Sequence, residues 1–345
     1  MKRILALIVA LLLICSLFTA CNEEEKEVEA EPVFKEEIIE ESQFYKNMQS
    51  NDRTIAVMID NDSDYTGPQA GLENAFMIYE AYVEGGNTRM MALYKRSFFT
   101  EENIADRIGP VRSSRHYFLD FALENDAIYA HCGFSPRAQQ EIASRGVNNI
   151  NGLYENAPFF RFTQYNNTWH NLYTDFKRLD VAADSHGYER KTDVTYNFLK
   201  NYEVPEGVEE ALTINIPYLI TGVSYEYDEE KGTYIRYKRG KTHTMQNGVT
   251  LEATNIIILE MQNFDLDGGD DKGRQDLMNT GEGKGKFITA GKVFDITWKK
   301  PTRDAMCRYY IGSKEITLNP GLTFVQIVPP AMAVTIEGAP EVIAE

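Results

Sequence analysis

The segment Arg53-Thr-Ile-Ala-Val-Met-Ile-Asp60 sets the tightest limit on the fold, because it is an unbroken apolar run closed by an acid. A strand with no polar alternation needs cover on both faces, which places it inside a sheet with other layers packed on it. Residues 75–83 and 89–94 read as further strands, joined by the hairpin-like turn Glu84-Gly-Gly-Asn87. Ala127 to His131 is another short buried strand, and Ser114 to Asn125 has helical apolar spacing. Ser135 as N-cap, Pro136 at the first helical position and Gly146 beyond the end predict a helix reaching Ser144. Strands mixed with helices imply an α/β or α+β sandwich for an N-terminal domain spanning residues 51–205.

From about Thr213 the texture changes. Short strands centred on residues 224–228, 233–238, 255–261, 287–289, 292–298, 308–311 and 323–328 follow at short intervals, with turn residues between them. This predicts a mainly antiparallel β-rich C-terminal domain over residues 210–332. The break Glu203-Val-Pro-Glu-Gly207 marks the boundary.

The chain opens with Lys2 and Arg3, an uncharged run from Ile4 to Phe18, and then Thr19-Ala20-Cys21. The run is short for a membrane span, and small residues before a cysteine read as a processing site. Residues 1–20 are therefore expected to be a lipoprotein signal peptide, with Cys21 the lipidated residue that anchors the protein to the extracytoplasmic face of the membrane. Residues 22–50 hold ten glutamates and no persistent apolar stripe, so 21–50 reads as an acidic disordered tether.

Losing residues 1–20 removes Lys2 and Arg3 and no acid, taking the formal charge from −17 to −19. A chain so acidic lacks the basic face that nucleic acid requires. It also repels an anionic membrane surface, leaving the lipid as the anchor. Cys132 and Cys307 are then the remaining cysteines besides Cys21, and they read as inert, separate thiols.

Against this background Arg107-Ile-Gly-Pro-Val-Arg-Ser-Ser-Arg115 is a basic island. Arginine offers a planar fork suited to phosphate or carboxylate. Arg107, Arg112 and Arg115, with Arg89 nearby in sequence, are candidate anion ligands. Asp60, Glu80 and Glu84 sit at strand ends, where they can pair with those arginines or, alternatively, hold a divalent cation for acid–base chemistry. No cofactor is otherwise expected. His131 and His170 are further candidates, although neither shows metal-ligand spacing, and Trp169-His-Asn-Leu-Tyr173 reads as an aromatic loop. The acidic stretches beginning at Asp60 and Asp265 fail the calcium-loop pattern and read as hydrated loops.

Several segments resemble the YerB lipoprotein family of Gram-positive bacteria, which pairs an uncharacterised N-terminal domain with a distinct C-terminal one. They are AVMIDN at 56–61, IYEAYVEGGNTRMMALY at 78–94, RIGPVRSSR at 107–115, DAIYAHCGFSP at 126–136, WHNLY at 169–173, ITWKKPTRDA at 296–305 and LNPGLTFVQIVP at 318–329. The resemblance implies a cell-envelope lipoprotein but brings no activity with it. The order of elements from Thr88 to Leu153 is also similar to that of LytR-CpsA-Psr enzymes, which move wall polymers from a polyprenyl-pyrophosphate carrier. In that comparison Met90 to Tyr94, Val111-Arg112, Gly133, Pro136 to Ser144 and Gly152 take the corresponding places, but Ser113 stands where the pattern has an aspartate. Three readings of function follow: a binder of an anionic cell-wall or carrier-lipid ligand, a phosphotransferase or hydrolase of a phosphate-containing envelope substrate, and a protein-interaction module.

Overall fold

The computed structural model describes residues 40–62, 68–164, 169–206, 208–266 and 272–338. The expected signal peptide, Cys21 and the tether up to residue 39 lie outside the described residues, as do Asp64, Gly207 and the middle of the acidic loop at 267–271. The last residues of the expected tether are folded. A short helix, Gln43–Met48, is capped by Ser42 and sets Phe44 against Phe98 and Phe198. No helix among the described residues is long and apolar enough to cross a membrane.

Every residue of the Ile55–Asp60 strand is buried, as its unbroken apolar run requires. Its side chains alternate between two cores: Ile55, Val57 and Ile59 face one, while Ala56 and Met58 face the other. The strand lies in an eleven-stranded sheet ordered Lys314–Glu315, Arg308–Ile311, Lys292–Lys300, Gly281–Thr289, Asn255–Glu260, Thr323–Val328, Met77–Tyr82, Thr88–Tyr94, Ile55–Asp60, Ile128–His131, Asn149–Asn151. The first half is thus mixed, with parallel pairs at its outer edge, and the second half is mainly antiparallel. The two halves join where Thr323–Val328 enters in parallel between Asn255–Glu260 and Met77–Tyr82.

A second sheet, containing Thr213–Ile216, Val223–Asp228 and Thr233–Lys238, covers the face that carries Ile78, and buries Ile214, Tyr225 and Tyr234 against it. The helices His116–Glu124 and Pro136–Ser144 stand on the other face. Pro136–Ser144 starts and stops where its caps predict, with the Ser135 hydroxyl accepting from the Ala138 amide at 3.3 Å. Each core draws residues from both halves of the chain.

Buried charge fastens the helices to the C-terminal hairpin. Asp120 pairs with Arg145 at 2.6 Å and with Arg303 at 3.0 Å, while the Asn279 amide donates to it at 2.8 Å. Lys300 pairs with Glu124 inside the core, and the Tyr79 hydroxyl donates to the same carboxylate at 2.7 Å. Within the Thr297–Arg303 segment Lys300 is completely buried.

Candidate functional site

Asp60 ends the central strand directly opposite Arg89 of Thr88–Tyr94. The segment after the Gly109-Pro110 cis bond runs alongside, held by bonds from the Asp60 amide to the Pro110 carbonyl at 2.8 Å and from the Arg112 amide to the Met58 carbonyl at 2.9 Å. Val111 turns into the core, and Arg112 turns the other way, as an extended segment requires. Arg112 Nε lies 3.3 Å from Asp60 Oδ2, and His170 Nδ1 donates to the same oxygen at 2.5 Å. Burial opposes ionisation of Asp60, but the His170 hydrogen bond and the charges of Arg112 and Arg89 outweigh it and hold the carboxyl below its usual range.

Arg115 grips Glu84 in a bidentate pair, Nε to Oε1 at 2.6 Å and Nη2 to Oε2 at 2.7 Å. Arg89 lies between the two pairs and donates to the Ser113 carbonyl at 2.7 Å. Burial, reinforced by Arg115, pulls its guanidinium down to about 10. Asp60, Glu84, Arg89, Arg112, Arg115 and His170 therefore form one charged edge at the end of the sheet. Arg274 adds to it from the C-terminal half, 3.8 Å from Glu84.

The other expected residues are elsewhere. Arg107 is not with its neighbours in the island; it stacks on the Phe162 ring at 3.9 Å beside a cleft of about 360 Å³. Glu80 lies on the opposite face of the sheet. It pairs with the fully buried Arg236 at 2.6 Å and accepts from Asn61, Thr88 and Gln326. His131 is buried, with Nδ1 on the Gly133 carbonyl and Nε2 near Asn149, and burial keeps its pKa low. Neither Glu80 nor His131 can reach a ligand at the Arg112 edge, so both are structural. Asp60, Glu80 and Glu84 each have a separate cationic partner, and no group of three His, Cys, Asp or Glu among the described residues could hold a metal. A larger open cleft, about 680 Å³ between Pro158 and Val181, is lined by none of the candidate residues.

Arg112 differs from the rest of the island. Its side chain is 25% exposed, and among the described residues its guanidinium forms the Asp60 ion pair and no further ion pair or hydrogen bond. Its Nε is buried with no well-directed hydrogen bond. The turns that carry Gly133 and Gly152 border it: the Cys132 amide donates to the Arg112 carbonyl at 3.0 Å, and the Gly152 amide to the His131 carbonyl at 2.9 Å. Arg161 and Lys238 escaped the sequence reading. Arg161 sits in an aromatic stretch with no charge pattern to flag it, and donates to Asn171 at 2.8 Å. Lys238 reaches the Asn61 carbonyl at 3.2 Å from the second sheet.

Fold and site together define a two-part protein built around one mixed sheet, with a partly exposed arginine held by an aspartate that a histidine also bonds. Sequence comparison is consistent with that division. "Protein of unknown function (DUF3048) N-terminal domain" matches residues 43–189, and the C-terminal domain of the same family matches residues 214–325. The chain belongs to this family. A curated relative, "Putative lipoprotein YerB" from Bacillus subtilis (strain 168), is 28% identical over 295 residues, covering 82% of this chain and 83% of the relative. The crystal structure of YerB protein from Bacillus subtilis superposes with a TM-score of 0.71, covering 84% of this chain and 95% of the other. The relationship supports a lipoprotein of unknown activity.

Proposed function

We propose that this is an extracytoplasmic lipoprotein, anchored through Cys21, that binds an anionic group of an envelope molecule at Arg112. The observation that carries this reading is the state of Arg112. Its three arginine neighbours are used by Glu84, Ser113 and the Phe162 ring, whereas Arg112 presents its terminal nitrogens beside a single ion pair. Asp60, itself bonded by His170, orients the guanidinium, so a phosphate or carboxylate meets a fork that is already ordered. Calorimetric titration of the intact chain in non-ionic micelles with inorganic pyrophosphate tests the reading. Binding that Arg112→Ala weakens by roughly tenfold or more supports it, and equal heats from both proteins refute it.

A second reading, phosphoryl transfer or hydrolysis, is favoured by the Asp60–His170 pair, since an aspartate-oriented imidazole beside an arginine is a usable general base. Release of phosphate from a diphosphate ester that disappears in His170→Ala would support it. No turnover above the buffer rate leaves binding as the function. Docking of a protein partner on the β-rich half is the third reading, and pull-down with the Arg112 edge blocked by pyrophosphate separates it from the first.

A further inference from the structure

Trp169 is the most exposed large apolar side chain near the charged edge, at 77%, with Tyr154 at 71% and Leu153 also open. Leu153 lies 3.7 Å from where a Cβ would stand on Gly133, and the Tyr154 ring is 6.3 Å from that of Phe134. Trp169 directly precedes His170, whose imidazole shares the Asp60 oxygen with Arg112. On the far side of His170, Asn171 accepts a hydrogen bond from the exposed Arg161. Trp169 therefore stands next to a His170-Asn171 pair that is tied to two guanidiniums, Arg112 through Asp60 and Arg161 through Asn171. Leu153 and Tyr154 follow Gly152, where a Cβ would stand 3.3 Å from Cys132 Cβ, and Leu153 approaches Gly133. A large indole left in water beside residues tied to two cations marks a contact surface rather than a core.

We propose that the Arg112 edge takes an anionic saccharide, with a pyranose ring laid against Trp169 and its phosphate or carboxylate held between Arg112 and Arg161. The proposal rests on the anion-binding reading above. A purely apolar ligand would waste two cations, and a bare anion would leave the indole without a partner. A pyranose offers both surfaces, with C–H groups on its face for the indole and charged or hydroxyl oxygens at its rim for the arginines.

Glucose 1-phosphate, glucuronate, glucose and inorganic phosphate serve as probes, titrated by calorimetry into the intact chain in non-ionic micelles. Of the chain's two tryptophans, Trp298 is buried and bonded to the Glu260 carbonyl, so a ligand-dependent change in emission reports Trp169. The expected result is that the two anionic sugars bind about fivefold to tenfold tighter than inorganic phosphate or glucose, as one aromatic contact allows, and quench the exposed emission. Trp169→Ala should erase that preference while leaving phosphate affinity unchanged, and Arg161→Gln should weaken both anionic sugars. A preference that survives Trp169→Ala overturns the saccharide proposal and leaves the anion site standing. Phosphate binding that is indifferent to Arg112→Ala overturns the site itself. Glucose 1-phosphate binding without glucuronate binding assigns the charge to phosphate and supports the proposal in that form; the reverse assigns it to carboxylate.

Discussion

Glu80→Gln is the substitution whose cost the structure specifies most fully. Glu80 is completely buried and accepts from four donors: Asn61 at 2.9 Å and Thr88 at 2.6 Å on Oε1, Arg236 at 2.6 Å and Gln326 at 3.1 Å on Oε2. A glutamine there must turn its amide nitrogen toward one of those pairs of donors: on the Arg236 side both bonds are lost, and on the Thr88 side the Asn61 bond is lost while the Thr88 hydroxyl turns to accept. Arg236 then loses its counter-charge; its Nε and Nη1 already lack partners, and its guanidinium faces the Phe324 and Tyr225 rings. Removing one member of a buried pair costs about 3–5 kcal/mol. At roughly 1.5–2 °C per kcal/mol for a folded body of about 300 residues, the thermal midpoint falls by about 5–10 °C. Scanning calorimetry measures the midpoint, and circular dichroism at room temperature checks that the fold persists. Adding Arg236→Met to Glu80→Gln removes the stranded cation and should recover part of the loss. A drop under about 2 °C in the single variant would falsify the claim that this pair fastens the second sheet to the first.

Three further outcomes can be checked. Burial, helped by Arg236 and opposed by Glu80, Asp60 and Asp62, brings the Lys238 ammonium down to about 8 from an ordinary 10.5. The unfolded chain then holds the extra proton between those values, so urea-measured stability rises with pH across that window, and Lys238→Met flattens the rise. Asp60 has its folded pKa below the ordinary 3.8, so its stabilisation is complete above that pH and fades as pH falls through the folded value; Asp60→Asn should shallow the acid limb of an unfolding titration. Gly133 has φ +83°, and a Cβ there would stand 3.1 Å from Ser113 Oγ. Gly133→Ala should therefore cost about 1–2 kcal/mol in chemical denaturation, and a neutral result would contradict the turn geometry beside Arg112.

Much of the fold was legible because local signals agreed with long-range needs. The all-apolar run to Asp60 could only be an interior strand, and Ser135-Pro136 with Gly146 could only bracket a helix. The C-terminal strands announced themselves as short runs between turn residues, as at Val223–Asp228 and Thr233–Lys238. What could not be read was the insertion of Thr323–Val328 beside Met77–Tyr82, some 240 residues earlier in the chain. Nothing in either strand names its neighbour. The same gap hid Arg236: within Thr233–Lys238 it looks like a solvent-facing cation, and only the packing of one sheet on the other delivers it to Glu80.

The site was legible as a composition and not as a geometry. Three arginines within nine residues suggested one basic patch, yet the segment runs antiparallel to Leu172–Asp175, with Ile108 opposite Thr174 and the Val111 amide on the Leu172 carbonyl, and its arginines meet separate neighbours. Arg107 goes to an aromatic ring, Arg115 to the hairpin glutamate, and Arg112 to the acid that ends the central strand. That division explains how so acidic a chain can keep a cation available. A guanidinium facing two carboxylates is neutralised, but the Asp60 oxygen nearest Arg112 is shared with His170. Part of the aspartate's hydrogen-bonding capacity is thereby taken by the imidazole, and Arg112 is steered without being bound on its outer edge. Replacing His170 with Ala should return that oxygen to Arg112, tightening the internal pair and weakening anion binding from two residues away in space, with thermal stability lowered by no more than the lost hydrogen bond, about 1.5–3 kcal/mol. Anion affinity that rises instead would show that the imidazole competes for the ligand.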